Sequence, residues 1–424
     1  MARSRAAEKR VNLAVARIIP PVLFGVIIYA SYDLTKQLCI DYLIHPSTKY
    51  SRHARVGIGA AILVIYYILL IPMVVSYLRL LQKVLWSPDY LPRGEKPARD
   101  QKDSRPSHRR RKRRRSEHES NKVRDAEKGD DFDSDVERGG SLHSGGKAFP
   151  LDAVGLESFY TKDVFVCQRD GRPPYCSKCS QFKTDRAHHC REVDRCVRKM
   201  DHFCPWVGGV VAESSFKFFI QFLVYTAMFC IFCLVVFAYF LAEAKRETGR
   251  VNAHWAVGIG LSGLFGLFSC GMTLSSLQLA LQNLSTIEHI DHRATIWTLA
   301  IRVPDHLLNA TESQWAPTFR TITYPLQSLS PPAEAEPGPG PGQQEDSLKP
   351  DAERRVFAIL QTRQGENPFD LGSPLKNLQQ VMGYSVLDWL LPLRESPCTD
   401  HSSEESAFAL GPVVSRLKQE AFGE

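Results

Sequence analysis

Charge is nearly absent from four long stretches of this sequence, and that deficit decides more than any average. The chain has 424 residues, 23% of them Asp, Glu, Lys or Arg. A charge-free run longer than an ordinary soluble helix has no globular explanation, because a surface helix must show water a polar face. Cysteine is also sparse: 11 residues, an odd number, exclude a disulfide scaffold. The first apolar stretch lacks a small-x-small cleavage site, is too long for a signal peptide and is followed by Asp33 and Lys36, so it is expected to stay on the chain. In the other direction, 23% charge is too much for a bare channel, and 10% aromatic residues is too many for a disordered chain.

The charge-poor stretches are residues 11–32, interrupted only by Arg17, then 56–78, 218–242 and 255–281. As a helix, residues 56–78 rise about 34 Å, enough to cross a hydrocarbon core of about 30 Å. Small residues in the fourth stretch, among them Gly258, Gly263 and Gly266, let helices approach closely in lipid. No span places an acidic or histidine ligand at mid-membrane, which argues against a zinc transporter. The expected fold class is an all-α polytopic membrane protein, with four transmembrane helices and a cytosolic cysteine-rich loop between spans two and three.

Arg3, Arg5, Lys9 and Arg10 in residues 1–10, and Lys83, Arg93 and the basic run 109–115 after the second span, place both segments in the cytosol by the positive-inside bias. Four spans bring the tail, residues 282–424, to the same side. The short loops 33–55 and 243–254 face the other way. Everything large enough for chemistry then lies in a reducing compartment, where cysteines are thiols or metal ligands. The host organelle is not legible.

Residues 89–146 are rich in charge and turn formers and poor in aliphatics, a composition expected to form a disordered linker. Its basic run reads either as attraction to anionic membrane lipids, about 1 kcal/mol per residue near the surface, or as a solvated topological determinant. A loop tethered between two spans disfavours nucleic acid. In the tail, a Pro-Gly-rich stretch at 330–354 precedes residues 355–362, which alternate like a strand. The sequons at Asn283 and Asn309 fall at or beyond the cytosolic end of the fourth span and are expected to be unused.

Chemical density is confined to the loop at 160–216. Cys176 and Cys179 form a C-x2-C knuckle, and His189 and Cys196 follow at spacings that close a Cys3His site suited to tetrahedral zinc. Beyond it comes Asp201-His202-Phe203-Cys204. A thiol of ordinary pKa, about 8.5, is only slightly ionised at neutral pH, so a nucleophilic Cys204 needs a base, His202, and a group to orient that base, Asp201.

These residues resemble the DHHC-type protein S-palmitoyltransferase family, in particular its filamentous-fungal branch. The resemblance covers the four-span layout, the cysteine-rich loop and motifs outside it. Ser285-Thr286-Ile287-Glu288 matches the family's T-T-x-E. Asn367-Pro368-Phe369-Asp370-Leu371-Gly372, with Asn377 and Met382-Gly383, resembles its C-terminal element, and Ser87-Pro88-Asp89-Tyr90 is a degraded D-P-G. Thr286, Glu288 and Asn377 are thereby implied as supporting residues.

The resemblance implies two zinc ions, the first on Cys176, Cys179, His189 and Cys196. The second would require ligands at Cys190, Val193, Phe203 and Val210, three of which are apolar here. One structural zinc is therefore expected, with Val193, Phe203 and Val210 packing in the vacated volume, Cys190 a spare thiol and Cys167 unassigned. A second site recruiting Cys167, His188 and Cys190 stays open. Phe203 replaces the second histidine of the family motif, a zinc ligand, while the base position, His202, is retained.

The implied activity is ping-pong transfer of palmitate from palmitoyl-CoA, through an acyl-Cys204 intermediate, to membrane-proximal cysteines of substrate proteins. Lys183, Arg186 and His188 could meet CoA phosphates. The alternative is a catalytically inactive, membrane-anchored zinc scaffold. It is favoured by the degraded D-P-G, the lost zinc ligands and Phe203, and opposed by intact Asp201, His202, Cys204, Thr286 and Glu288.

Overall fold

The computed structural model describes residues 2–46, 53–94, 156–308, 318–325 and 354–423. The expected linker from residue 95 onward, Asn309 and nearly all of the Pro-Gly-rich stretch lie outside these residues.

Four helices are long and apolar enough to cross a membrane. Helix α1 (Ala2–Tyr32) runs on without a break into a π-helix, Asp33–Ile44. The sequence had suggested a loop there because Asp33, Lys36 and Asp41 interrupt the apolar run. Leu34, Leu38 and Tyr42 nevertheless recur four apart and are fully buried, so one face still packs and the helix persists. Helix α2 (Val56–Trp86) follows. After the short α3 (Glu157–Tyr160) and the cysteine-rich loop come α4 (Phe216–Thr248) and α5 (Ala253–Leu281). Helix α4 packs against both α2 and α5. A Cβ on Gly258 would stand 2.8 Å from the Phe237 ring, so glycine at that position is what lets α5 close on α4. At the end away from the cysteine-rich loop, Arg55 donates to both carboxylate oxygens of Glu243 at 2.5 and 3.1 Å, with the Tyr42 hydroxyl on the same carboxylate.

The all-α expectation requires correction, because the extramembrane part is built on strands. A four-stranded antiparallel sheet has the order β1-β8-β10-β9. Its strands are β1 (Val164–Val166) from the loop, and β8 (Thr298–Arg302), β9 (Arg320–Tyr324) and β10 (Arg355–Gln361) from the tail. Val164 pairs with Ile301 and Phe165 with Ala300. Period-two alternation serves both faces. Val164, Leu299 and Ile301 pack with Val414 and Leu417 of a terminal helix, while Phe165, Ala300 and Phe357 pack with Phe159, Phe182 and Tyr324. The pattern at 355–362 announced β10. The other strands are short, and their partners are not neighbours in sequence: β1 pairs with β8 across more than a hundred residues, and β10 reaches back past residues 326–353 to β9 and β8.

Three two-stranded hairpins carry the cysteine-rich loop. They are β2 (Tyr175–Cys176) with β3 (Gln181–Phe182), β4 (His188–Cys190) with β5 (Arg195–Val197), and β6 (His202–Cys204) with β7 (Gly209–Val211). The tail supplies α6 (Thr286–Asp291), α7 (Asp305–Leu308), α8 (Pro374–Met382), α9 (Val386–Leu390) and the terminal α10 (Pro412–Phe422).

The tail also finishes α5. A helix leaves its last carbonyls without partners. Here Asn377 donates to the Leu281 carbonyl at 2.9 Å and to Asp370 at 2.8 Å, and accepts from the Leu371 amide at 2.9 Å. Asn367 donates to the carbonyls of Gln282 and Asn283 at 3.2 and 3.3 Å. Asn377→Ala strands several buried polar groups at once, at about 1–3 kcal/mol each. The thermal midpoint of the purified protein should fall, and an unchanged midpoint would show that the tail does not cap α5 in solution.

Candidate metal centre and catalytic site

The knuckle between β2 and β3 presents Cys176 and Cys179, while His189 and Cys196 face each other across the β4–β5 hairpin. The four ligand atoms lie within 4.8 Å of one another. His189 Nδ1 is 3.6, 3.3 and 3.9 Å from the sulfurs of Cys176, Cys179 and Cys196. A tetrahedral zinc with Zn–S of about 2.3 Å and Zn–N of about 2.0 Å requires N···S edges near ~3.6 Å, so the cluster fits that ion. The other ring nitrogen, Nε2, lies 3.5 Å from Asp194, the carboxylate that fixes Nδ1 as the metal-facing atom.

The chain leaving α2 adds an edge to this centre. Leu91 N–H donates to the Cys196 carbonyl at 2.9 Å and Gly94 N–H to that of Cys179 at 3.0 Å. A Cβ at Gly94 would fall 1.8 Å from the Ser180 carbonyl oxygen, so only glycine allows this approach. Asp89 accepts from the Ser214 amide and hydroxyl, both at 2.9 Å, just before α4. The altered Ser87-Pro88-Asp89 element thus still joins α2, the cysteine-rich loop and the start of α4.

The four positions at which the family resemblance implied a second metal come together as packing. Phe203 pairs with Val210 across β6–β7. Cys190 and Val210 are buried with Val197, Met200 and Ala212, and Val193 and Phe203 close the cluster. Cys167 lies in a different cluster, among the aromatic side chains under the sheet, so the structure does not gather it with Cys190.

Cys204 ends β6, and a 3-10 turn, Pro205–Val207, with Gly208 at φ 79° returns the chain into β7. His202 Nδ1 lies 2.6 Å from Asp201 Oδ2. A carboxylate only accepts, so Nδ1 carries a proton and Nε2 is the ring atom left for Cys204, two residues on along the same strand. Asp201 is held in turn by Thr286, whose amide donates to Oδ1 at 2.8 Å and whose hydroxyl donates to Oδ2 at 2.9 Å. Burial opposes charge on the His202 ring, but the bonds to Asp201 and Cys204 outweigh it and raise its pKa to about 10.

Thr286 is fixed by a second, fully buried layer. Ser285 and Glu288 form a capping box at the start of α6. Glu288 also receives Arg186 in a fork, Nε to Oε1 at 2.8 Å and a terminal nitrogen to Oε2 at 2.6 Å. The remaining guanidinium donors reach the Asn283 side chain at 3.0 Å and its carbonyl at 2.8 Å. Phe369 lies under the same guanidinium at 4.7 Å. Burial would raise the Glu288 carboxyl, but the Arg186 charge overrides it and takes it down to about 2.

The expected CoA-facing set is therefore not brought together. Arg186 is buried and engaged with Glu288 and Asn283. His188 is held down to about 4 by burial, with its Nε2 enclosed, and offers no charge to a phosphate. Lys183 is half-buried and has no ionic partner among the described residues. Asn283, set aside as an unused sequon, is part of the frame around the site, and the S-T-I-E capping-box pattern is the local signal that could have located it.

An apolar cavity of about 290 Å³ opens at His202, Cys204 and Trp206 and runs between α1, α4 and α5 past Phe222 and Phe229 to Phe237 and Gly258. A thiol next to a carboxylate-bound imidazole, lining an apolar cavity among helices long and apolar enough to cross a membrane, in a chain that also carries a Cys3His cluster able to hold a metal, fits a multi-pass membrane enzyme of the transferase class. The model of the DHHC palmitoyltransferase family matches residues 170–293. The chain is 64% identical over 425 residues to palmitoyltransferase pfa5 of Aspergillus fumigatus, covering 99% of this chain and 93% of that protein. It is 54% identical over 425 residues to palmitoyltransferase pfa5 of Emericella nidulans, covering 98% and 87%. With palmitoyltransferase ZDHHC15 of Homo sapiens it shares 37% over 115 residues, 27% of this chain and 32% of that protein. The chain belongs to the DHHC palmitoyltransferase family.

The raised His202 sets a pH signature. A group that holds its proton more tightly when folded adds stability that is complete below its unfolded value, near 6.5, and is lost as pH climbs through about 10. The thermal midpoint should decline across that window, and Asp201→Asn should flatten the decline. A wild-type midpoint independent of pH over the same range would mean that the ring carries no extra proton.

Proposed function

We propose that this chain transfers a palmitoyl group from palmitoyl-CoA to cysteine thiols of substrate proteins, with Cys204 as nucleophile, His202 as base and Asp201 as its orienter. The observation that carries the reading is the hydrogen-bonded line Thr286–Asp201–His202, with His202 and Cys204 on one strand and both lining the apolar cavity.

In the first step the Cys204 sulfur, its proton already held on the His202 ring, attacks the thioester carbonyl. The C–S bond to CoA breaks, and the proton leaves on the CoA thiol. In the second step an incoming protein thiol gives its proton to His202 and attacks the Cys204 thioester, and Cys204 departs as a thiol reprotonated by the same ring. Each step exchanges one thioester for another, so the demand on the protein is positioning. Thr286 and Asp201 hold the imidazole in one tautomer through both steps. Burial of the acyl chain contributes about 0.8 kcal/mol per CH2, on the order of 10 kcal/mol for palmitate, which favours keeping the chain within the spans while the CoA head stays in water. Lys183, without an ionic partner among the described residues, is the one of Lys183, Arg186 and His188 left to meet a CoA phosphate.

A zinc ion on Cys176, Cys179, His189 and Cys196 would cross-link the first two hairpins and fix the loop beneath the nucleophile. The reading includes one such ion per chain, because Val193, Phe203 and Val210 offer no donor atoms. It also includes termini on the cytosolic side, supported by the basic residues flanking the first two spans.

Purified protein incubated with labelled palmitoyl-CoA should acquire hydroxylamine-sensitive label that Cys204→Ser abolishes. Absence of label on the wild type would favour the inactive-scaffold reading. Thr286→Val should slow labelling by about 10- to 100-fold, the usual loss when an orienting partner is removed, with metal content unchanged. Metal analysis should return one zinc per chain, and two would overturn the vacated-site reading.

A further inference from the structure

Among the described residues of the tail, six of the ten large exposed apolar side chains fall in one short segment. Tyr384, Val386, Leu387, Leu390, Leu391 and Leu393 cluster within ten residues, with Leu387 and Leu393 each 66% exposed. A contiguous apolar patch of this kind marks an interaction surface. The hydrogen bonds of the segment show where it sits.

The carbonyls of Asp388 and Trp389 accept from Gln221 at 3.1 and 3.0 Å, and that of Leu390 accepts from the Tyr225 hydroxyl at 2.6 Å. Both donors are on α4. Lys217 is the last charged residue before the uncharged stretch of that helix, and Tyr225 lies eight residues further on, about 12 Å along the axis toward the membrane interior. On α2 the Leu393 carbonyl accepts from Arg79 at 3.0 Å. Arg79 is the first charge after residues 56–78, and the exposed Trp86, of the residue type that anchors at membrane–water interfaces, lies a further two turns toward water. The chain then leaves through an ion pair of Lys83 with Glu395. The segment thus enters beside Ser385, reaches its greatest depth near Leu390 and returns by Glu395.

Irregular backbone at hydrocarbon depth is tolerated only when protein satisfies its polar groups. That condition is met by Gln221, Tyr225 and Arg79 on the carbonyls, by the Ser385–Asp388 capping box of α9, and by Trp389 Nε1 donating to the Gly383 carbonyl at 2.8 Å. With its carbonyls turned to α2 and α4, residues 386–393 present apolar side chains outward, flanked by exposed Ser385 and by Arg394, 79% exposed and paired with Asp388 at 3.6 Å where the chain turns back toward water.

We propose that residues 384–394 form an interfacial wedge that inserts its leucines into the bilayer leaflet on the active-site side, making the tail a membrane-seated element in addition to the four spans. The occupant of the patch is lipid. The wedge is also joined to the site, because Trp389 packs in the same apolar cluster as Val381, Met382 and Cys204. Inserted leucines therefore help set the height of the nucleophile relative to the hydrocarbon edge.

The proposal rests on reading the four helices as membrane spans, and the test separates the two. A photo-crosslinking amino acid is placed in the full chain at Leu387, Leu390, Ile68 on α2 and Thr321 on β9, and each variant is reconstituted in phosphatidylcholine vesicles and irradiated. Mass analysis should find lipid adducts at 387 and 390 as at 68, and none at 321. Adducts at 68 but not at 387 or 390 would overturn the wedge and leave the spans standing. Cross-links from 387 and 390 to a second copy of the chain would overturn it in favour of a protein partner, and failure at 68 would remove the span reading with it.

Discussion

The buried pair between Arg186 and Glu288 is the joint on which the catalytic geometry hangs. Its side chains are 1% and 4% exposed, and charges taken so far from water are retained only when both find full partners. Glu288 cannot receive Arg186 unless α6 is capped and docked, and α6 docked in this way presents Thr286 to Asp201. Asp201 then holds the His202 ring, and the ring faces Cys204. Removing either partner would leave a bare charge in an apolar setting, at about 3–5 kcal/mol, and the loss would reach the His202 ring through the Thr286–Asp201 and Asp201–His202 contacts. The Cys3His cluster and this ion pair hold the loop from different sides: the cluster gathers its first two hairpins, and the pair ties the loop to the end of α5.

The four apolar helices, the Cys3His cluster and the Asp201–His202–Cys204 line were legible in the sequence because each depends on local pattern: run length, ligand spacing, and adjacency along one strand. The sheet was not. Strands β1, β8 and β9 are three to five residues long, too short for alternation to stand out, and their register is settled by partners in remote segments. Arg186 shows the same limit in a single residue. A basic side chain in a polar loop reads as a solvated phosphate ligand, whereas its partner, Glu288, lies about a hundred positions downstream. The continuation of α1 beyond Tyr32 was hidden because three charges masked a buried four-residue repeat. Asn377 was reached only through resemblance, since an asparagine that caps another helix has no signature of its own.

Where the family resemblance implies a second metal, this chain shows packing instead. Direct pairing of Phe203 with Val210 across β6–β7 puts two of those positions in contact by backbone register alone, and Val193 and Cys190 complete the enclosure. Coordination is strong and directional but demands every ligand. Apolar packing is weaker per contact and tolerates imperfect shape. The hairpin that bears Cys204 is the one that relies on packing, while the hairpins that bear the cluster retain the metal-type ligands.

The separation between Asn377 and the helix end it caps has a consequence for synthesis. Chains fold largely from the N-terminus as they emerge from the ribosome. The spans and the nucleophile are therefore made well before Asn367, Phe369 and Asn377, which close α5 and seat Arg186. A nascent chain paused before these residues, or one cut short by a premature stop codon, carries Cys204 without the frame that orients its base. The arrangement of Thr286, Asp201 and His202 around Cys204 is in this sense a property of the finished polypeptide, and incomplete translation products would carry the thiol without that frame.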